Sequence, residues 1–91
     1  MIKLYLISAT WCKSCPDVYT KITPYIDGLN DNYTFKKLDI NDDEDFIEEL
    51  NIIVNKLPSL LIIENSEKKI LIGENIITYF NSMNIQDDDD F

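Results

Sequence analysis

Cys12 and Cys15 are the chain's only cysteines and stand three positions apart in Trp11-Cys12-Lys13-Ser14-Cys15-Pro16. Two cysteines scattered over 91 positions would fall at that separation in about one case in fifty, so the context has to carry the reading. If Cys12 lies just ahead of a helix and Cys15 one turn on, the sulfurs can approach and close a disulfide. The free N–H groups and positive dipole end of that helix favour thiolate over thiol at Cys12. The more exposed first sulfur then attacks a substrate disulfide and the second resolves the mixed disulfide. Lys13 adds a positive charge that lowers the Cys12 pKa, modestly because an exposed side chain is screened. Trp11 offers a flat apolar surface for an extended peptide, or else packs as an ordinary surface residue. The competing reading of the pair is two small buried hydrophobes.

A second segment, Lys56-Leu57-Pro58-Ser59, directly precedes the most apolar run of the chain. Proline at the entry to a central strand points to a cis bond or an edge position, and a cis Leu57-Pro58 bond is predicted over a plain trans one. The Pro58 ring is then expected against the sulfurs, with the Leu57 backbone free to pair with an extended substrate.

The elements that must position these residues follow from periodicity. Residues 2–7 read as a buried strand and 8–11 as a loop. Val18, Tyr19, Ile22, Tyr25, Ile26 and Leu29 recur at helical spacing from Cys15, with Pro16 suited to the first turn and Pro24 expected to kink or end the helix early. Tyr33 to Ile40 reads as a second strand. Asn41 to Glu44 supplies N-cap residues for a short acidic helix through Phe46, Ile47 and Leu50. Ser59 to Ile63 and Lys68 to Ile72 form a hairpin closed by Gly73, and Asn75 is expected to cap a last helix whose face is Ile76, Ile77, Phe80 and Met83. The order is βαβαββα, with a right-handed parallel crossover followed by two antiparallel strands in one sheet and helices on both faces. The expected organisation is one α/β domain over residues 1–85 and an acidic C-terminal tail over 86–91.

Composition narrows the function. The chain carries 17 acidic residues against eight lysines and no arginine, a formal charge of −9, so counterion-release binding to nucleic acid is disfavoured. No metal or other bound cofactor is expected, since two cysteines and no histidine fall short of a closed zinc site. The apolar run at the N-terminus is too short for a signal peptide or a membrane span, which points to a cytoplasmic protein without membrane contact. Seven of the acids lie between Asp39 and Glu49 and four between Asp87 and Asp90. The first group suits a solvated helix start. The tail, ending in Phe91, is either a solubilising end or a segment that docks in a basic, apolar-floored cleft.

Together Trp11-Cys12-x-x-Cys15, Leu57-Pro58-Ser59 and Gly73 resemble the thioredoxin family over nearly the whole chain. The resemblance implies a thioredoxin fold with a four-stranded mixed sheet in the order 2-1-3-4, Cys12 as nucleophile, Cys15 as resolving thiol and Pro58 as the cis proline beside them. It implies a redox-active disulfide recharged by an external donor, thioredoxin reductase or glutathione, with protein disulfides and a reductase as partners of a monomer. Lys37 falls where thioredoxins keep a buried lysine. The family's Gly-Pro between the cysteines is Lys13-Ser14 here, and its buried aspartate six residues before the nucleophile is Leu6. Glutaredoxins are similar in size, but Ala9 replaces the lysine three residues before their nucleophile and Gly73-Glu74 reduces their Gly-Gly. A non-catalytic thioredoxin-like subunit that binds partners through Trp11, Pro58 or the tail is the alternative of another class.

Overall fold

A computed structural model describes residues 1–83, so the proposed tail over 86–91 and the last two positions of the proposed domain lie outside the described residues. The elements are β1 (Ile2–Ser8), α1 (Cys15–Asp27), β2 (Tyr33–Asp39), α2 (Glu44–Glu49), β3 (Ser59–Glu64), β4 (Glu67–Ile72) and α3 (Glu74–Met83). The sheet order is β2-β1-β3-β4. Strand β1 pairs parallel with β2, from Ile2 opposite Tyr33 to Ser8 opposite Asp39, and antiparallel with β3, from Ile2 opposite Glu64 to Ile7 opposite Ser59. Strand β4 pairs antiparallel with β3.

The alternation of side chains along β1 divides the core between the two faces of the sheet. Leu4 and Leu6 point to one face, where they meet Val18 and Ile22 of α1, Leu60 and Ile62 of β3, and Ile76 and Phe80 of α3. Ile7 points to the other, against Leu38 and Ile47, with Tyr5, Phe46, Ile52 and Val54 packed around them. Helices α1 and α3 are further joined by a hydrogen bond from the Tyr25 hydroxyl to the Asn81 side-chain oxygen.

Three local expectations are corrected. Helix α1 does not stop at Pro24 but runs on to Asp27 before Gly28, and the Thr23 hydroxyl donates to the Tyr19 carbonyl at 2.6 Å just ahead of the proline. Helix α3 begins at Glu74, so Asn75 lies inside its first turn rather than capping it; the turn is opened by Gly73 at φ +56°, whose carbonyl accepts from the Ile76 N–H. Asp43 occupies the N-cap of α2 without capping it, because its carboxylate reaches back to accept the Asp39 N–H at 2.8 Å.

Candidate functional site

The carboxyl ends of β1 and β2, the start of α1 and the start of β3 converge at one end of the sheet, the usual place for a site in an α/β fold. From the end of β1 the chain passes through Ala9 to Cys12, whose N–H donates to the Ala9 carbonyl at 3.1 Å. Cys15 is the first residue of α1 and Pro16 the second, where a missing N–H leaves nothing unpaired. Cys12 and Cys15 are joined in a disulfide with their Cα atoms 5.5 Å apart. Cys12 is 9% exposed and Cys15 5%, and the pair packs with Ala9, Ile40 and Leu57. As residues both cysteines are nearly enclosed.

The Leu57-Pro58 bond is cis. Leu57 packs against the cysteines, and Pro58 is buried at the threshold of β3. The Ser59 hydroxyl donates to the Lys56 carbonyl and closes the turn, which satisfies a side chain that is almost wholly buried. Leu57 enters none of the turn and loop backbone hydrogen bonds among the described residues. An open cleft of about 270 Å³ runs beside the disulfide, lined by Trp11, Cys12, Ile40, Val54, Asn55, Lys56 and Leu57. Lys56 in that lining and Lys13, the residue after Cys12, are both exposed.

Trp11 is 66% exposed, so it is not core packing, and its indole N–H donates to the Asn41 side-chain oxygen at 3.2 Å. Asn41 belongs to a loop held by carboxylates. Asp39 accepts the Asn41 N–H at 2.8 Å and the Asp42 N–H at 3.0 Å, while the Ile40 N–H donates to the Ser8 carbonyl. The N–H groups of Asp42 and then Asn41 hold the Asp39 carboxyl below the ordinary aspartate range, because hydrogen bonds to an anion favour the charged form. From the sequence Asn41 is read only as one of the N-cap residues before α2, not as part of the site. Its partner is 30 positions away, and no local pattern marks such a pairing.

A second cleft, of about 420 Å³, reaches Cys15 and is lined in part by Tyr19, Lys37, Asp39 and Asp43. Lys37 departs from the buried position the resemblance implies: it is exposed, with Nζ 4.4 Å from the centre of the Tyr19 ring. Its register partner on β1 is Leu6, fully buried and unable to pair with a charge, so the aromatic face takes that place. No group of three or more His, Cys, Asp or Glu side chains that could hold a metal exists among the described residues, and none of their helices is long and apolar enough to cross a membrane.

A family model described as Thioredoxin matches residues 2–81. No curated protein matches the chain. Among solved structures, the fold is similar to that of Deadhead (Thioredoxin-1), a germline-specific thioredoxin of Drosophila melanogaster, with TM-score 0.72 and 17% identity over 90% of this chain and 77% of that one. It is similar also to mitochondrial thioredoxin 3 of Saccharomyces cerevisiae in its oxidized form, with TM-score 0.72 and 21% identity over 93% and 78%. Thioredoxin O1 of Arabidopsis thaliana in its oxidized state gives 0.69 and 24% over 93% and 77%.

Proposed function

The chain belongs to the thioredoxin family, and from that premise we propose that it is a thiol-disulfide oxidoreductase that reduces disulfides in peptide and protein substrates. The observation that carries this reading is a Cys12–Cys15 disulfide at the opening of α1, bordered by a cleft that Cys12 and Leu57 help to line. In the reduced protein the Cys12 thiolate attacks one sulfur of a substrate disulfide. A new S–S bond forms, the substrate bond breaks, and the other substrate sulfur leaves as a thiolate that takes up a proton. Cys15 then gives up its proton and attacks the Cys12 sulfur, expelling the second substrate sulfur and closing the Cys12–Cys15 bond. Two electrons have passed to the substrate, and an external dithiol or a reductase returns two electrons and two protons.

Trp11 and Leu57 supply apolar surface on either side of the attacking sulfur, and the unused backbone groups of Leu57 suit an extended peptide. Pro58 sets the entry to β3 beneath them, and Lys13 and Lys56 add positive charge at the rim. A reducing, cytoplasmic setting fits a chain whose cysteines form a redox pair rather than a structural scaffold. Thioredoxin reductase is the favoured donor and a monomer the favoured state. Glutathione as donor is less well supported, since Ala9 and Glu74 stand where glutaredoxins carry recognition residues.

Reduction of insulin disulfides by the wild type, Cys12→Ser and Cys15→Ser, each with a reductant supply, tests the reading. Turnover is expected from the wild type alone, with Cys15→Ser accumulating a mixed disulfide through Cys12. Wild-type turnover no faster than that of Cys12→Ser would leave a non-catalytic, partner-binding subunit as the better account.

A further inference from the structure

We propose that the Ser14 hydroxyl is a catalytic group of this site: it donates a hydrogen bond to the Cys12 thiolate and holds the charge against the apolar wall of Ile40 and Leu57. The proposal rests on the oxidoreductase reading above for its purpose, but its chemistry concerns one thiol and can be measured apart from turnover.

Ser14 stands at the N-cap of α1, where a serine side chain normally accepts a hydrogen bond from an N–H of the first helical turn. It does not do so here. Its backbone is right-handed helical, φ −85° and ψ −14°, rather than extended, and the side chain makes no capping bond. The Ser14 carbonyl accepts the Val18 N–H at 3.2 Å, the ordinary first bond of the helix, and Pro16 at the second helical position has no N–H to offer a capping side chain. The hydroxyl is thereby released, and its oxygen lies 3.7 Å from the Cys12 sulfur, a separation suited to an O–H···S bond given the size of sulfur. A disulfide sulfur carries no proton, so in this state Ser14 is the donor.

The need for such a donor follows from burial. Cys12 packs with Ala9, Ile40 and Leu57, and enclosure by apolar groups penalises the charged form of a thiol. The helix dipole acts along α1 but ends on Cys15, the first helical residue. Among the described residues, Ser14 is the side chain that hydrogen-bonds the Cys12 sulfur. When the disulfide is reduced by two electrons and Cys12 is left as a thiolate, the same contact becomes a charge-assisted bond, stronger than the neutral one. The consequences are a larger thiolate fraction at neutral pH and a stabilised reduced form, which makes the couple more oxidising.

The test follows alkylation of the reduced, full-length protein by iodoacetamide across pH, with the labelled residue identified as Cys12 by mass spectrometry. Ser14→Ala is expected to move the midpoint to higher pH and to slow Cys12 alkylation at neutral pH by about three- to tenfold. Ser14→Thr, which keeps the hydroxyl, should stay within about twofold of the wild type. A Ser14→Ala profile that superimposes on the wild type overturns the proposal, and so does a Ser14→Thr profile as slow as that of Ser14→Ala, because shape rather than the hydroxyl would then be responsible. If Ser14→Ala does not give a folded circular-dichroism spectrum, Ser14→Gly serves as the hydroxyl-free variant under the same criteria. Insulin turnover is recorded separately: a wild type that fails there but shows the Ser14-dependent thiol profile refutes the proposed function and not this assignment.

Discussion

Trp11 keeps its indole ring in water and still has a defined position, because one hydrogen bond to Asn41 ties it to the loop after β2. That loop depends in turn on the Asp39 carboxylate, which gathers the Asn41 and Asp42 N–H groups. Those donors lower the Asp39 pKa in the folded protein, so its contribution to stability is complete above the unfolded aspartate value and is lost as pH falls through the lowered folded value. Asp39→Asn should therefore melt below the wild type at pH 7, with the gap closing as the pH drops through and below the ordinary aspartate range. Thermal unfolding of both proteins from neutral to acid pH measures this. A gap that stays constant with pH would mean that the carboxylate's charge plays no part.

Each active-site element is short and is set by its ends. Helix α1 delivers Cys15 as its first residue, and at the same end of the sheet, on its edge strand, Gly73 performs the comparable task by turning β4 into α3. Gly73 has φ +56°, and a Cβ built on it would meet nothing within 4 Å, so only backbone strain opposes a larger residue. Gly73→Ala is expected to cost about 1 kcal/mol, a fall in Tm of about 4–8 °C for a domain of this size, with disulfide turnover unchanged at temperatures where it stays folded. Denaturant and thermal unfolding measure the cost, and an unchanged midpoint would contradict the strain assignment. Element types were readable from periodicity, while several ends were not. Asp43 looked like a cap for α2 and Asn75 for α3, but side chains of that kind serve whichever backbone group is nearest. For Asp43 that group proved to be the N–H of Asp39.

For the molecule as a whole, the formal charge of −9 contrasts with the lysines around the cleft. A field of that sign attracts cationic disulfides and repels anionic ones, and salt screens both effects. Raising ionic strength from about 0.01 M to about 0.15 M, which shortens the Debye length from about 30 Å to about 8 Å, should slow oxidation of the reduced protein by cystamine. The same change should speed oxidation by glutathione disulfide, each effect being about two- to fivefold. Stopped-flow tryptophan fluorescence of Trp11 gives the rates. The opposite signs would show that Lys13 and Lys56 govern the approach instead of the net charge.

On the same scale, the sequence by itself determined the redox pair, the βαβαββα order, the proline ahead of β3 and the division of β1 between two faces. Those features are local spacings and periodicities, and a strand or helix expresses them wherever it packs. Tertiary structure alone decided what surrounds the sulfurs. Asn41 meets Trp11 across 30 positions. Leu57 and Ile40 close on Cys12 from two different loops. Lys37 turns to Tyr19 because its neighbour across the ladder is the apolar Leu6. The Ser14 hydroxyl faces Cys12 rather than the helix it precedes because of a backbone angle that no residue type specifies. The cysteine spacing specifies which two sulfurs can join, whereas their accessibility and charge depend on groups that reach them only when the chain folds.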